Sequence, residues 1–227
     1  MRVSVIIPAL NEAESIGFVV GEMPWALIDE CIVVDNGSTD DTARIAAEAG
    51  ARVVTAPRGY GAACLAGVQA ALSTSDVLVF LDGDGSDVTA QMPELLGPVE
   101  RGEMDLVLGT RLGVRRAAAG SMLVSQRFAG WMVGSLLRLV YRFRYTDMCA
   151  FRAIRRSSLD ALGMAERTYG WNLEMQIKAI QHGLRIVEVP VDYRVRYGGV
   201  SKVSGDWKAS VKAATRILEV LFRVGWR

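Results

Sequence analysis

The sequence predicts an α/β fold, a mainly parallel central sheet flanked by helices, and three observations carry that prediction. Short runs of strand length, mostly apolar, recur through the first half at residues 3–8, 31–34, 52–55, 77–81 and 106–108. Stretches of helical length separate them, and strands alternating with helices of about ten residues build βαβ units. The run Val77-Leu78-Val79-Phe80-Leu81 is apolar at every position, the mark of a strand covered on both faces of its sheet.

Each element has a local reason. Residues 3–8 make the first strand, and Asn11-Glu12-Ala13-Glu14 opens a helix whose early acids suit the positive end of the helix dipole. The second strand, 31–34, ends in Asp35-Asn36-Gly37-Ser38-Thr39-Asp40, a turn and then a cap for a helix over 41–49. Gly50 stops that helix. Strand 52–55, a helix over 61–72 and strand 77–81 follow. Thr89 caps the next helix, which Gly97-Pro98 interrupts before strand 106–108.

The second half changes character. Residues 111–120 read as a mobile basic loop, and 121–143 as a long apolar helix carrying Arg127, Arg138 and Arg142. A strand is expected over 147–154, a helix over 171–181 and a strand over 185–189. A glycine-containing basic loop covers 194–202. The tail, 207–224, is an amphipathic helix with Val211, Ala214, Leu218, Leu221 and Phe222 on one side.

Composition narrows the function. At 227 residues the chain is one domain by length, large enough for a real core. Its mean hydropathy is +0.22, yet the longest uncharged run, 59–75, is rich in small and polar residues. A membrane span needs about 20 mainly apolar residues. The first apolar run stops at Leu10, too short for a signal peptide, so a cytoplasmic chain is expected. Cys31, Cys64 and Cys149 lack metal-ligand spacing and read as reduced, buried thiols. His182 is the only histidine and precedes Gly183 in a helix-ending pattern, which argues against histidine zinc sites and Ser-His-Asp triads. Residues 1–110 carry 5 Lys+Arg against 17 Asp+Glu, and residues 111–227 the remaining 21 against 8. That asymmetry suggests an acidic half that holds metal and a basic half that meets an anionic partner. No nucleic-acid partner is expected.

The strand 77–81 runs straight into Asp82-Gly83-Asp84-Gly85-Ser86-Asp87. In an open α/β sheet, ligands bind beyond the carboxyl ends of the strands, and two carboxylates one glycine apart can reach one cation. A hard cation takes one or two carboxylates plus substrate phosphates. Two plainer readings stand beside this. Asp82-Gly83-Asp84-Gly85 suits an ordinary turn. Asp82, Asp84 and Ser86 also imitate the alternate ligands of an EF-hand. That loop, however, needs glycine where Asp87 stands and a glutamate where Pro93 stands, with a helix before it. Gly59-Tyr60-Gly61 is a weak dinucleotide signal, because Cys64 takes the third glycine position. A tight turn letting the backbone and Arg58 approach a ligand is the plainer role.

Seven stretches then fall into a known order: Ile7-Pro8-Ala9-Leu10-Asn11-Glu12, Val34-Asp35-Asn36-Gly37-Ser38-Thr39-Asp40, Arg58-Gly59-Tyr60-Gly61, Asp82-Gly83-Asp84, Gly109-Thr110-Arg111, the segment from Asp147 to Phe151-Arg152, and the segment from Arg196 to Ser201-Lys202. Together they resemble the family 2 glycosyltransferases of the Rossmann-like GT-A fold, particularly the dolichyl- and polyprenyl-phosphate sugar synthases, over nearly the whole chain. The resemblance implies a single GT-A domain, with donor and metal binding in 1–110 and acceptor binding in 111–227. It implies that Pro8, Leu10, Glu12, Asp35, Arg58 and Gly59 line the nucleotide-sugar. Asp82 would contact ribose and, with Asp84, hold Mg²⁺ or Mn²⁺ on the diphosphate. Ser86 stands where the lipid-phosphate synthases often carry a metal-binding Gln. Arg111, Arg127, Arg152, Arg196, Ser201 and Lys202 would meet an acceptor phosphate, since the planar Arg fork bonds two oxygens at once. The plainer reading of each arginine is a solvated basic face.

The expected reaction is transfer of a hexose, with inversion, from a UDP- or GDP-sugar to polyprenyl phosphate in cell-envelope synthesis. A hydroxyl acceptor needs a base, and the candidates are Asp147 and Glu174. A phosphate monoester, with a second pKa of about 6, arrives ionised, which fits that shortage and the basic half. One alternative keeps the donor and uses a small soluble or hydroxyl acceptor with Asp147 or Glu174 as base. Another is a non-catalytic nucleotide-binding protein. The membrane-spanning tail of many family members is not seen here. Helices 121–143 and 207–224 suit peripheral attachment to the inner face of a membrane, and equally packing on the sheet or a homo-oligomer contact.

Overall fold

The computed structural model describes residues 1–112, 138, 143, 145–198, 219–220 and 223–224. The strands are β1 (Val3–Ala9), β2 (Glu30–Asp35), β3 (Arg52–Thr55), β4 (Val77–Phe80), β5 (Leu106–Thr110), β6 (Arg152–Arg155) and β7 (Ile186–Pro190). The helices are α1 (Ile16–Gly21), α2 (Thr42–Glu48), α3 (Tyr60–Ala70), α4 (Met92–Glu100), α5 (Arg156–Leu162) and α6 (Trp171–Gln181). All seven strands join one sheet in the order β3-β2-β1-β4-β6-β5-β7. β6 runs antiparallel to β4 and β5, and the other pairings are parallel. The order reverses between β1 and β4, and open α/β sheets seat their ligands in the crevice at such a reversal.

The alternation of side chains along each strand splits the core in two. Val5, Ile7, Val33, Val77 and Val79 face one layer, where α1, α2 and α4 supply Ile16, Ala46 and Leu95. Ile6, Val34, Leu78 and Phe80 face the other, where α3, α5 and α6 supply Cys64, Leu159 and Trp171. The three cysteines are free and buried, as their spacing suggests. Val220 and Val224, at described helical positions of the expected tail helix, bury in the Trp171 layer. The helix expected over 121–143 lies outside the described residues except for position 138 and the non-helical 143. No helix among the described residues is long and apolar enough to cross a membrane.

Three boundaries depart from expectation, the first two through capture of backbone groups by side chains. Helix α1 starts at Ile16, not at Asn11. Asn11 takes φ +49°, its side chain accepts from Thr39 N–H, and Glu12 N–H donates to Thr42 Oγ1 at 2.8 Å. The strand expected over 147–154 is confined to β6. Ahead of it, Thr146 and Asp147 N–H groups donate to the Glu188 carboxylate, which leaves no ladder there. Helix α4 runs through Gly97-Pro98 to Glu100. Pro98 stands in its last turn and forfeits a single N–H, so the expected interruption does not occur.

Helix α3 lies close on the sheet through Gly67, where an added Cβ would come within 2.3 Å of Ile6 Cγ2. Alanine is the better helix former by about 1 kcal/mol, but overpacking a filled core costs about 1–3 kcal/mol. Gly67→Ala is therefore expected to lower stability in urea melts. A more stable variant would show that α3 rides further from β1 than the structure has it.

Candidate active site

The carboxyl ends of β1, β2 and β4 bring three loops to one rim. β1 aligns Ala9 with Asp35 and Ile6 with Phe80, so Asp35 ends its strand at this rim and Glu12 and Asp82 emerge just beyond it. The β1 and β2 loops are laced together: Asn11 N–H donates to Ser38 Oγ, and Ser38 N–H to Asp35 Oδ1, both at 3.0 Å. Pro8 is buried in β1, Leu10 is partly exposed at its end, and Arg58 lies alongside Gly37 in the β2 loop.

The loop after β4 shapes itself with its own acids. Asp82 N–H donates to Asp87 Oδ2 at 3.0 Å. Asp84 Oδ1 accepts from both Ser86 N–H and Ser86 Oγ–H, so Ser86 serves the turn. Gly85 is left-handed at φ +78°, and a Cβ there would meet Tyr197 Cβ at 2.9 Å. Residues 193–198 cross over this loop. Asp87 bridges Tyr193, Arg194 N–H donates to Ser86 O, and Tyr197 N–H donates to Asp84 O. Arg196 Nη2 lies 3.2 Å from Glu12 Oε1 and 3.4 Å from Asp84 Oδ2.

On the far side of the loop Arg111 forms a two-pronged pair with Asp147, Nε and Nη2 each at 2.7 Å, and lies over the Tyr193 ring at 4.8 Å. Asp147 is 4% exposed. Glu12, Asp82, Asp84, Asp147, Arg111 and Arg196 therefore form one cluster, with Asp87 as a member that sequence reading missed. The only signal for Asp87 was its place directly after the acidic motif, where it had served to reject a calcium loop.

Several expected residues lie elsewhere. Arg152 is corrected from a phosphate contact to a core residue. It is fully buried, and its guanidinium donates to the carbonyls of Cys149 and Asn172; burial holds its pKa down. Glu174 is corrected likewise. Its carboxylate accepts from Ala165 and Glu166 N–H and pairs with Lys178, none of them members of the cluster. Gly59, at φ +137°, and Gly61 make room for protein: added Cβ atoms would meet Arg167 O and Glu166 O at 2.3 and 2.2 Å. The first amides of α3 accordingly donate to Thr168 O and Arg167 O, so that helix terminus is already filled. Arg127, Ser201 and Lys202 lie outside the described residues.

The cluster's electrostatics favour a cation. Burial and the neighbouring Asp87 and Asp84 charges push Asp82 well above the usual carboxylate range. Burial, with Asp84 close by, lifts Asp87 to about 6. Burial would raise Asp147 too, but the Arg111 fork outweighs it and holds the group low. Among the described residues, Glu12, Asp82, Asp84, Asp87 and Asp147 face the arginines Arg111 and Arg196. Among the described residues no ready-made set of three metal-ligating side chains exists. This arrangement fits a hard divalent cation that takes one or two carboxylates and fills its remaining positions from water and phosphate.

A raised carboxylate works against folding as it ionises: its stability contribution is intact below the unfolded pKa, about 3.9 for Asp, and lost as pH rises through the folded value. Asp87→Asn keeps an acceptor for Asp82 N–H and removes the charge. In EDTA the variant should melt above wild type at pH 8, with the difference closing as pH falls through 6 toward 4. A difference independent of pH would contradict the crowding.

Comparison with known proteins identifies the family. The model of the family "Glycosyl transferase family 2" matches residues 4–163. An uncharacterised glycosyltransferase of Mycobacterium tuberculosis (strain ATCC 25618 / H37Rv) is 38% identical over 226 residues, covering 96% of this chain and 97% of the relative. The undecaprenyl-phosphate mannosyltransferase of Micrococcus luteus is 34% identical over 221 residues, 90% of this chain and 88% of the relative. Among solved structures, glucosyl-3-phosphoglycerate synthase of M. tuberculosis, in complex with Mn²⁺ and UDP-glucose, superposes with a TM-score of 0.76 at 25% identity, over 99% of this chain and 79% of that one. With a sheet, an acidic rim and relatives of this kind, the chain belongs to glycosyltransferase family 2, and its fold is GT-A.

Proposed function

We propose that the chain moves a hexose from a UDP- or GDP-sugar to polyprenyl phosphate, with inversion at the anomeric carbon. The observation that carries this reading is a rim of crowded carboxylates flanked by arginines in which, among the described residues, neither candidate base, Asp147 nor Glu174, is free to take a proton. Asp147 is locked to Arg111 and held at low pKa. Glu174 is bound to backbone amides elsewhere. Asp87 is 3% exposed and tied to Asp82 N–H. A hydroxyl acceptor would need a base that neither Asp147 nor Glu174 supplies here, whereas a phosphate monoester is already largely ionised at neutral pH. The name of the Micrococcus relative supports the same acceptor.

In this reading Asp82 and Asp84 hold Mg²⁺ or Mn²⁺ against the donor's diphosphate, and the ion, as a Lewis acid, stabilises the charge growing on the departing nucleoside diphosphate. Asp35 and Glu12 accept from base and ribose, with Pro8 and Leu10 beneath and Arg58 alongside. Arg111 and Arg196 set a positive potential for the acceptor phosphate, which attacks opposite the leaving group and so inverts the centre. Because polyprenyl phosphate resides in a bilayer, the reading places the chain at a membrane surface.

A second acceptor class has its own support. The similar solved structure is named for making glucosyl-3-phosphoglycerate, and a soluble phosphorylated acid would use the same arginines. Incubation with labelled UDP- and GDP-hexoses, Mn²⁺ and polyprenyl phosphate separates the two. Label should enter the organic phase and be lost with EDTA. Asp84→Ala should cut turnover by about 10²-fold or more, since Lewis-acid stabilisation is worth several kcal/mol and each ~1.4 kcal/mol is tenfold. Label confined to an aqueous phosphorylated product would favour the second class. Undiminished turnover in a folded Asp84→Ala variant would refute the metal role.

A further inference from the structure

Residues 193–198 are fastened across the acidic loop at both ends. The main chain bonds to Ser86 O at 2.8 Å and to Asp84 O at 2.9 Å. Beyond them the Tyr197 ring stacks on Phe18 at 4.3 Å, and Arg194 pairs with Glu22. Arg196, between these anchors, is therefore held over the cleft. One of its nitrogens, Nη2, serves both Glu12 and Asp84. The other two, Nε and Nη1, are buried and have no partner among the described residues. Buried donors without acceptors are costly, so this guanidinium is suited to a further anion that the cleft receives.

We propose that Arg196 is a resident counter-ion of Glu12 and Asp84, and that it exchanges them for phosphate oxygens only when a divalent cation and a nucleoside diphosphate enter together, so that donor loading precedes capture of the acceptor phosphate. The inference rests on the donor-site reading above. A guanidinium 3.4 Å from Asp84 Oδ2 competes with a cation for the same carboxylate, since like charges repel strongly in a partly buried site. The diphosphate offers the acceptors that Nε–H and Nη1–H lack, in the planar geometry an Arg fork matches. Each ligand thus removes a penalty that the other meets, and the coupling is reciprocal. The main-chain bonds keep the Arg196 backbone beside the loop, so the exchange needs only its side chain to turn.

The test is Mn²⁺ binding to the full chain without nucleotide, followed by the electron paramagnetic resonance signal of free Mn²⁺. Arg196→Ala should bind Mn²⁺ roughly tenfold more tightly than wild type, the scale expected on removing one close competing charge pair. Arg196→Lys, which keeps the charge, should stay near wild type. Adding UDP should tighten Mn²⁺ binding more in wild type than in Arg196→Ala. Farnesyl phosphate should bind wild type with Mn²⁺ and UDP present and not in their absence. Equal or weaker Mn²⁺ affinity in Arg196→Ala, or farnesyl phosphate binding that ignores Mn²⁺ and UDP, overturns the exchange alone. Wild type that fails to bind Mn²⁺ even with UDP overturns the metal reading of Asp82 and Asp84, and this inference with it.

Discussion

Everything at this rim depends on how the chain tolerates five carboxylates gathered where β4 leaves the sheet. Two unit charges 4 Å apart at an effective dielectric of 20 repel by about 4 kcal/mol, so such a set persists only with compensation. The chain supplies it in two ways. Arg111 and Arg196 bring positive charge from either side of the loop. The acids also spend themselves on the backbone, Asp87 on Asp82 N–H and Asp84 on Ser86 N–H. Among the described residues the carboxylates outnumber these two arginines, which favours a cation.

The fold serves this loop at a distance. A strand buried on both faces fixes where Asp82 emerges, and the reversal of strand order beside it opens the crevice. Gly85 lets residues 193–198 close over the loop, while Gly59 and Gly61 let the 166–168 backbone dock against the start of α3. The second of these changes the meaning of a motif. The Arg58-Gly59-Tyr60-Gly61 glycines read from sequence as room for a ligand, and their contacts in the structure are with protein carbonyls.

Strands β1, β2, β4 and β5 were legible because burial leaves nearly unbroken apolar runs, and α6 was legible to the residue at Trp171–Gln181. The acidic loop was legible as a loop, because carboxylates and glycines follow the strand directly, while its plainer reading as a turn stayed open in the letters. What could not be read was set by contacts between segments distant in sequence. The start of α1 hangs on a bond from Glu12 to Thr42, and the loss of strand before β6 on Glu188. Nothing in the letters around Arg152 or Glu174 tells a phosphate contact or a base from a charge buried against backbone groups. Arg196 was legible as a basic residue in a glycine-containing loop, but its hold on Glu12 and Asp84 was not.

The most direct measurement is the position of the metal itself. In a crystal grown with Mn²⁺ and UDP, the anomalous manganese peak should lie within coordination distance of the Asp84 carboxylate, with the diphosphate on its other side and Asp82 facing the nucleotide. A manganese peak elsewhere, with Asp82 and Asp84 turned from an empty crevice, would contradict the account.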